Sequence, residues 1–227
     1  MFKAEELFDL RHTSHHQIFH QINYAWEAIA KIKKYVDQHL QPQNLASIKG
    51  EPHIEGLVQI GEGTIIEPGV VIKGPVIIGK NCLIRSGAYI REYSIIGDRV
   101  IIGNSTETKH CLLMNDVKAP HFNYIGDSIL GFKAHLGAGV IISNVKIPPT
   151  EIKVVTMEKI YQTGLKKFGA LIGDEAEIGC NSVLNPGTIL GKGCLVYPGV
   201  MFRGVAAANS IVKLRQEHDI IIKRNIS

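Results

Sequence analysis

The sequence predicts a mainly β protein, a parallel β-helix preceded by an α-helical segment. Nine isoleucines recur at a fixed interval of six residues: Ile54, Ile60, Ile66, Ile72, Ile78, Ile84, Ile90, Ile96 and Ile102. A short fixed period of this kind is typical of a solenoid, in which each strand stacks on an earlier one. The residue four positions after each isoleucine is small or β-branched, and on an extended strand it shares the direction of the next isoleucine. Glycines such as Gly61 and Gly79 follow the isoleucine, where the chain must bend. Three edges and three corners predict a triangular coil of eighteen residues.

The six-residue period weakens after Ile102 and then recovers. It predicts inward positions at Thr108, Met114 and Pro120. Aliphatic residues return at Leu130, Leu136, Ile142, Ile172, Ile178, Leu184, Leu190 and Val196. We expect the β-helix over residues 51–206, with a loop insertion at about 145–168 and a C-terminal tail over 207–227. Each fully buried isoleucine contributes roughly 1.5–3 kcal/mol, so the repeats alone supply a core of ordinary size.

Residues 1–50 lack this period and predict helices instead. Ile22, Trp26 and Ile29 follow the helical period, as do apolar residues further on. We therefore expect an N-terminal helical segment, with one or two amphipathic helices within residues 15–40.

Four histidines cluster in this N-terminal segment: His12, His15, His16 and His20. His16 and His20 have the i, i+4 spacing of a metal-binding pair. No carboxylate or thiolate joins them at a suitable spacing, so we favour a solvated polar face and predict no metal site.

Composition narrows the class of protein. The chain has 227 residues, 45% of them hydrophobic, and a formal net charge of +4. The cysteines, Cys82, Cys111, Cys180 and Cys194, show no CxxC or zinc spacing. The first residues are charged where a signal peptide is apolar, and no stretch approaches the roughly 18 apolar residues of a membrane span. We expect a cytoplasmic protein that binds neither nucleic acid nor membranes.

The residues that point away from the predicted core are also apolar. From Ile66 to Ile102, the residues that precede the isoleucines are Ile65, Val71, Ile77, Leu83, Tyr89, Ile95 and Ile101. Rows of this kind exceed the apolar surface that a monomer exposes. Closed cyclic association would cover two faces of a triangular prism. We therefore predict a homotrimer, with the N-terminal helices on the third face.

Titratable side chains concentrate where the aliphatic period weakens. A scaffold selected only for packing would keep its aliphatic residues, so this stretch is the candidate site. If the coil keeps eighteen residues, Arg85 and His121 lie on one face, two coils and roughly 10 Å apart. Lys109 would lie on the neighbouring face, within reach of a second subunit.

Several phrases within residues 80–215 carry a family resemblance. They are Arg85-Ser86-Gly87-Ala88, Glu107-Thr108-Lys109, His121-Phe122-Asn123-Tyr124-Ile125-Gly126-Asp127, Leu136-Gly137-Ala138-Gly139, Asn144, Lys167-Phe168, Ile172-Gly173-Asp174 and Arg215. In them the chain resembles the acetyltransferase domain of the bifunctional N-acetylglucosamine-1-phosphate uridylyltransferase/glucosamine-1-phosphate N-acetyltransferase. It is also similar to the β-helical tails of archaeal sugar-1-phosphate nucleotidyltransferases, and both belong to the hexapeptide-repeat transferase family. The resemblance implies a left-handed β-helix.

The resemblance also implies roles for individual residues. His121 would be the general base, with Glu107 as the second catalytic residue and Asn144 beside it to position the amino sugar. The implied substrate-binding residues are Arg85, Lys109, Tyr124, His135, Asn144 and Lys167, and acetyl-CoA, as co-substrate, would contact Ala138, Cys180, Pro198 and Arg215. Elementary chemistry supports the role of His121. The ammonium group of an amino sugar is unreactive while it is protonated, and a neutral imidazole can remove that proton. A phosphate dianion suits lysine and arginine.

The chain departs from the family at several points. His135 stands where the family usually has an asparagine, and Cys180 and Pro198 stand where a serine and an alanine are common. Residues 1–50 are too short to replace the uridylyltransferase domain. We therefore expect no nucleotidyltransferase activity in this chain.

Three functions remain open from the sequence. The first is an acetyl-CoA-dependent N-acetyltransferase of glucosamine 1-phosphate or a close amino-sugar phosphate, in UDP-N-acetylglucosamine biosynthesis. The second is a non-catalytic trimeric module that binds a sugar nucleotide or assembles with a separate sugar nucleotidyltransferase. The third is acyl transfer to another amino sugar, such as galactosamine 1-phosphate or a nucleotide-linked amino sugar.

Overall fold

The chain winds into a parallel β-solenoid, which confirms the predicted β-helix, but its strands run from Gln43–Asn44 to Ile211–Val212 and so extend beyond the predicted residues 51–206 at both ends. The computed structural model describes residues 2–156 and 158–221. Three parallel sheets form a prism, and within each sheet every strand pairs with the strand of the coil above or below it. The three sheets contain nine, nine and eight strands.

We name the three sheets as faces A, B and C. Face A consists of Gln43–Asn44, Val58–Ile60, Val76–Ile78, Ser94–Ile96, Cys111–Leu113, Ile129–Leu130, Ala170–Ile172, Thr188–Leu190 and Val205–Ala206. Face B consists of Ser47–Ile48, Ile65–Ile66, Leu83–Ile84, Ile101–Asn104, Lys118–His121, His135–Leu136, Glu177–Ile178, Leu195–Val196 and Ile211–Val212. Face C consists of His53–Glu55, Val71–Lys73, Tyr89–Ile90, Glu107–Lys109, Tyr124–Gly126, Ile141–Ile142, Val183–Leu184 and Met201–Phe202.

The predicted inward isoleucines form the core of the prism. From Ile60 to Ile102 they are at most 1% exposed, whereas Ile54, in the first coil, is only partly buried. Cys82 and Cys194 fill small inward positions among them, as free thiols. The core is therefore one continuous aliphatic column along the axis of the solenoid.

Two coils in the middle of the solenoid are one residue shorter than predicted. Ser94 pairs with Cys111, and Leu112 pairs with Ile129, each at an offset of 17 residues. The missing residue is at the corner between face C and face A. Two residues separate the inward Thr108 from Cys111 at this corner, whereas three residues separate Ile90 from Ser94 in the preceding coil.

This shortening moves the inward positions that follow it. Thr108 is inward and fully buried, as predicted, but the next inward residues are Leu113 and Ala119. The prediction that Met114 and Pro120 point inward is wrong, because a strict six-residue period does not allow for a corner that is one residue shorter. Met114 is buried on the outer side of the wall, against the N-terminal segment.

The N-terminal segment covers face A, as predicted. It contains the α-helices Ala4–Leu7 and Glu27–His39 and the 3-10 helices Leu10–His12 and His16–Phe19. Trp26 and Ile29 are buried in a cluster with the outward residues of face A. Those residues are Ile77, Ile95, Leu112, Ile129, Leu171 and Ile189. No described helix is long and apolar enough to cross a membrane.

An antiparallel hairpin interrupts the solenoid between Ile142 and Ala170. Its strands are Lys153–Val155 and Ile160–Gln162. The ring of Tyr161 packs edge-on against Phe2, with a centroid distance of 5.4 Å. The hairpin and the N-terminal segment therefore share one aromatic cluster.

Faces B and C carry apolar side chains with no cover in the single chain. On face C, Ile141 is 39% exposed and Met201 is 73% exposed. On face B, Leu195 and Ile211 are 38% and 51% exposed. These two faces are the ones for which the sequence predicts contact with further copies of the chain.

Candidate functional site

One edge of the prism, where face B turns into face C, carries His121 and three of the predicted cofactor residues. We call it the B–C edge. The backbone N–H of Gly139 donates to the carbonyl of His121 (3.1 Å), that of Asn181 to Ala138 (2.8 Å), and that of Gly199 to Cys180 (2.9 Å). His121, Ala138, Cys180 and Pro198 therefore lie in four successive coils. With about 4.8 Å per coil, this row is about 15 Å long.

The backbone at His121 is fixed while its ring faces solvent. The side chain of the buried Asn123 accepts from the N–H of His121 (3.3 Å) and donates to the carbonyl of Gly137 (2.8 Å). Phe122 between them is left-handed, at φ 53°, and 57% exposed. In residues 2–156 and 158–221 no hydrogen bond reaches the His121 ring. The ring is presented outward without a group that orients it.

Arg85 lies near His121 but not directly above it. Asn104 pairs with His121, and its side-chain amide donates to the carbonyl of Ser86 (3.0 Å). Ser86 is therefore the residue in register with His121, two coils earlier in the chain. The predicted alignment of Arg85 with His121 is wrong by one position. The cause is the shortened coil. Arg85 remains a half-buried neighbour on the same edge.

Face C presents a charged cluster close to this edge. Glu107 pairs in register with Tyr124, and Lys109 pairs with Gly126. Alternate residues of a strand share a direction, so Glu107 and Lys109 both point outward while Thr108 is buried. Arg91, in the coil above, binds the Glu107 carboxylate at 2.8 Å. Arg91 was not predicted as a site residue, although it follows Ile90 as Lys109 follows Thr108.

A buried hydrogen-bond network lies at the far end of face C. Asp127 is 5% exposed and accepts from His110 Nδ1 (2.8 Å) and from Asn144 Nδ2 (2.5 Å). The amide of Asn144 also lies close to the hydroxyl of Tyr124, since both are next to Gly126. Burial raises the pKa of Tyr124, and the nearby carboxylates of Glu107 and Asp127 act in the same direction. The Tyr124 hydroxyl therefore keeps its proton and can donate to an anion.

Gly126 makes room for this network. A Cβ on Gly126 would lie 2.7 Å from the Tyr124 hydroxyl and 2.9 Å from Asn144 Nδ2. The hydroxyl and the amide thus meet over the one position of the strand that has no side chain.

Lys167 lies at the same end of the face. The N–H of the next residue, Phe168, donates to the carbonyl of Asn144 (3.0 Å), and Lys167 itself is exposed. Lys109, Tyr124, Asn144 and Lys167 are thus brought together on one side of one chain. Within the described part of the chain, no ion pair is found for Lys109 or Lys167.

Two predicted residues lie apart from this group. His135 is on face B, paired in register with Lys118 and Glu177, so it points away from face C. Arg215 is exposed, three residues beyond the last strand of face B. A single chain does not bring either of them to Glu107.

Two of the N-terminal histidines, His12 and His15, make packing contacts, whereas His16 and His20 are exposed. The His12 ring stacks on Phe132 at 3.7 Å, and His15 Nδ1 lies 3.1 Å from the Tyr35 hydroxyl. Burial lowers the pKa of His15 to about 4. Among the described residues there is no group of three or more side chains that could hold a metal ion.

Comparison with known proteins bears on the β-helix. Residues 72–165 match the GMPPB C-terminal domain, and residues 169–204 match the bacterial transferase hexapeptide (six repeats). The bifunctional sugar-1-phosphate nucleotidylyltransferase/acetyltransferase of Sulfurisphaera tokodaii is 35% identical over 180 residues, which cover 79% of this chain and 45% of that protein. The bifunctional protein GlmU of Methanococcus maripaludis (strain C7) is 35% identical over 207 residues, which cover 91% and 50%.

This chain spans about half the length of these curated relatives. Among solved structures, the Francisella novicida UDP-N-acetylglucosamine acyltransferase is 17% identical and has a TM-score of 0.38, covering 75% of this chain and 66% of that one. A similarity at that level carries no weight for function.

Proposed function

The β-helix of this chain belongs to the hexapeptide-repeat transferase family, and we propose that the chain is an acetyl-CoA-dependent N-acetyltransferase. Its acceptor would be glucosamine 1-phosphate or a close amino-sugar phosphate. The observation that carries this proposal is the cluster on face C. There Glu107, Lys109, Tyr124 and Asn144 face the same way, and His121 lies on the adjoining edge.

The cluster has the polarity that an amino-sugar phosphate needs. Lys109 and Lys167 supply positive charge, and the protonated Tyr124 hydroxyl supplies a neutral donor. Glu107 supplies a carboxylate that suits the amine of the acceptor, although Arg91 already binds one of its oxygens. Phosphate and amine would thus bind to different parts of one face.

His121 is the residue suited to take a proton. An ammonium has no lone pair, so the acceptor must lose a proton before it can attack, and a neutral imidazole accepts it. Acetyl-CoA, when bound, supplies the thioester carbonyl that the amine attacks. The exposed ring of His121 can reach a ligand on either side of the B–C edge.

The residues along the B–C edge fit a long, thin co-substrate. Ala138, Cys180 and Pro198 have small side chains, and a Cβ on Gly199 would meet no atom within 4 Å. An extended pantetheine arm could therefore lie against the backbone of three successive coils. Arg215, beyond the last coil, would offer its charge to the phosphates.

A second copy of the chain would complete this site. His135 on face B and Glu107 on face C cannot meet within one chain, but they can if face B of one copy packs on face C of another. The apolar residues exposed on both faces support such packing. Three copies close this arrangement without leaving a free face, so we propose a homotrimer.

Release of free CoA from acetyl-CoA tests the proposal. The assay compares glucosamine 1-phosphate, galactosamine 1-phosphate and UDP-linked amino sugars as acceptors. We expect turnover with the first and little with the nucleotide-linked sugars. Hydrolysis that is independent of any acceptor would contradict the proposal.

One observation favours a second function, a non-catalytic trimeric module that binds a sugar nucleotide or assembles with a separate nucleotidyltransferase. The His121 ring has no orienting partner in the described part of the chain, whereas a general base is usually held by one. Tight binding of UDP-N-acetylglucosamine without turnover of any acceptor would establish this module.

A further inference from the structure

Asn144 in the candidate site is held by a pair of residues to which the proposed reaction assigns no role. Asp127 accepts from the Asn144 amide on Oδ2 and from His110 Nδ1 on Oδ1. The backbone N–H of Asp127 donates to Lys109 (3.1 Å), and its carbonyl accepts from Gly169 (2.8 Å). Hydrogen bonds therefore fix both the main chain and the side chain of Asp127.

The carboxylate decides which way the Asn144 amide faces. An ionised aspartate has only acceptors, so it must receive the NH₂ group of Asn144 and not its carbonyl oxygen. The same Nδ2 atom lies over Gly126, close to the Tyr124 hydroxyl. The Asn144 oxygen is thereby left as an acceptor for a hydroxyl or ammonium of the acceptor sugar.

His110 supplies the donor to the other oxygen of Asp127. In the described chain, His110 and Asn144 are the two side chains that donate to this nearly buried carboxylate. A buried acceptor that loses its donor is costly, so removing His110 would destabilise the position of the Asp127 carboxylate that holds the Asn144 amide. The amide would then be free to turn over.

The backbone holds His110 in place for this role. His110 lies in the shortened corner after Thr108, in the left-handed conformation at φ 46°. Its N–H donates to the carbonyl of Glu92 (3.1 Å), and its ring meets Tyr93 edge-on at 6.4 Å. The corner that breaks the six-residue period is thus the one that places this histidine.

We propose that His110 is a positioning residue, which acts through Asp127 to keep the carbonyl oxygen of Asn144 facing the acceptor sugar. This inference rests on the proposed function for the identity of the sugar. The orientation of the Asn144 amide does not depend on the proposed function. The positioning role and the proposed function can therefore fail separately.

Kinetics of the full-length protein test the effect on the acceptor. His110→Ala should lower kcat/KM for glucosamine 1-phosphate about 10-fold, because a misplaced contact weakens binding in the transition state. The KM for acetyl-CoA should stay within about 2-fold. His110→Asn keeps an N–H donor near the same place and should recover most of the loss.

A matched control is His53→Ala. His53 also binds a carboxylate, Glu55, at 3.0 Å, but on the exposed first strand of face C. This variant should leave kcat/KM unchanged. An equal loss in the His53 and His110 variants, or no loss in His110→Ala, would overturn the proposal.

Side-chain NMR tests the amide without requiring any turnover. In the wild type, one Nδ2 proton of Asn144 should resonate far downfield, since it bonds to a charged acceptor. The signal should move in His110→Ala and return in His110→Asn. An unchanged Asn144 signal in His110→Ala would refute the positioning role even if the enzyme is active, whereas the expected shifts without turnover would refute only the proposed function.

Discussion

Glu107 and His135 point outward from different faces of the same prism. Glu107 pairs with Tyr124 on face C, and His135 pairs with Lys118 on face B. Two residues that cannot face each other within one chain can serve one ligand only if two copies meet. The relationship therefore connects the proposed chemistry to the proposed trimer.

Mixed assemblies should reveal this division of the site. Assemblies that contain only the Glu107→Gln variant, or only the His135→Ala variant, should each have lower turnover than the wild type. After co-refolding at equal amounts, about a quarter of the interfaces in a cyclic trimer should pair an intact face C with an intact face B. Turnover should rise accordingly. Co-refolding that gives only the mean of the two pure variants would place both residues in one chain's site.

The oligomeric state can be measured without any substrate. We expect light scattering to give the mass of three chains at micromolar concentration. Met201→Asp should shift the mass toward the monomer, because a charge would be placed at an exposed apolar position of face C. Lys133→Asp, at an exposed position, is the control. A wild-type monomer would contradict the trimer.

His121 should matter for rate far more than for binding. His121→Ala should lower kcat about 10² to 10⁴-fold, the range typical of a lost general base. The KM values should change little. His53→Ala is again the matched exposed histidine. Full activity in His121→Ala would remove His121 from catalysis.

Lys109 should recognise the phosphate of the acceptor. Lys109→Met removes the charge but keeps much of the side-chain length, and it should raise the KM for the sugar phosphate about 10- to 100-fold. An acceptor without the phosphate should bind wild type and variant alike. An equal penalty for both acceptors would show that Lys109 acts through the structure instead.

Acid should weaken the N-terminal segment through His15. Burial lowers the pKa of His15 from 6.5 to about 4. The unfolded chain therefore binds the proton more readily than the folded one. The contribution of neutral, buried His15 to the free energy of unfolding is fully present above pH 6.5 and is lost as the pH drops toward 4. The loss is up to about 3 kcal/mol.

Urea unfolding of His15→Asn at several pH values measures this effect. The variant should show a smaller fall in the free energy of unfolding between pH 6.5 and 4 than the wild type, while His53→Asn should match the wild type. Identical pH profiles for His15→Asn and the wild type would contradict the assignment to His15.

The aliphatic ladder made the fold predictable, because each coil repeats the same packing problem. The shortened corner was not predictable from the period. Leu113 and Met114 are both apolar, so either could have been the inward residue, and the strand register decides between them. Losing one residue there also moved Ser86, and not Arg85, above His121.

The candidate site was predictable in part. Glu107, Lys109, Tyr124 and Asn144 were named from the family phrases, and the structure places them together. Arg91 was missed because its link to Glu107 spans a coil and depends on register. The contact between His110 and Asp127 was missed for the same reason, at an offset of 17 residues.

The most direct test of the account is to identify the product. The wild-type protein, acetyl-CoA and glucosamine 1-phosphate are incubated together, and the sugar is analysed by mass spectrometry and NMR. We predict an acetyl group on the amine of the sugar, formed in step with free CoA and almost absent with His121→Ala. An unmodified sugar after long incubation with properly folded wild-type protein would contradict the account.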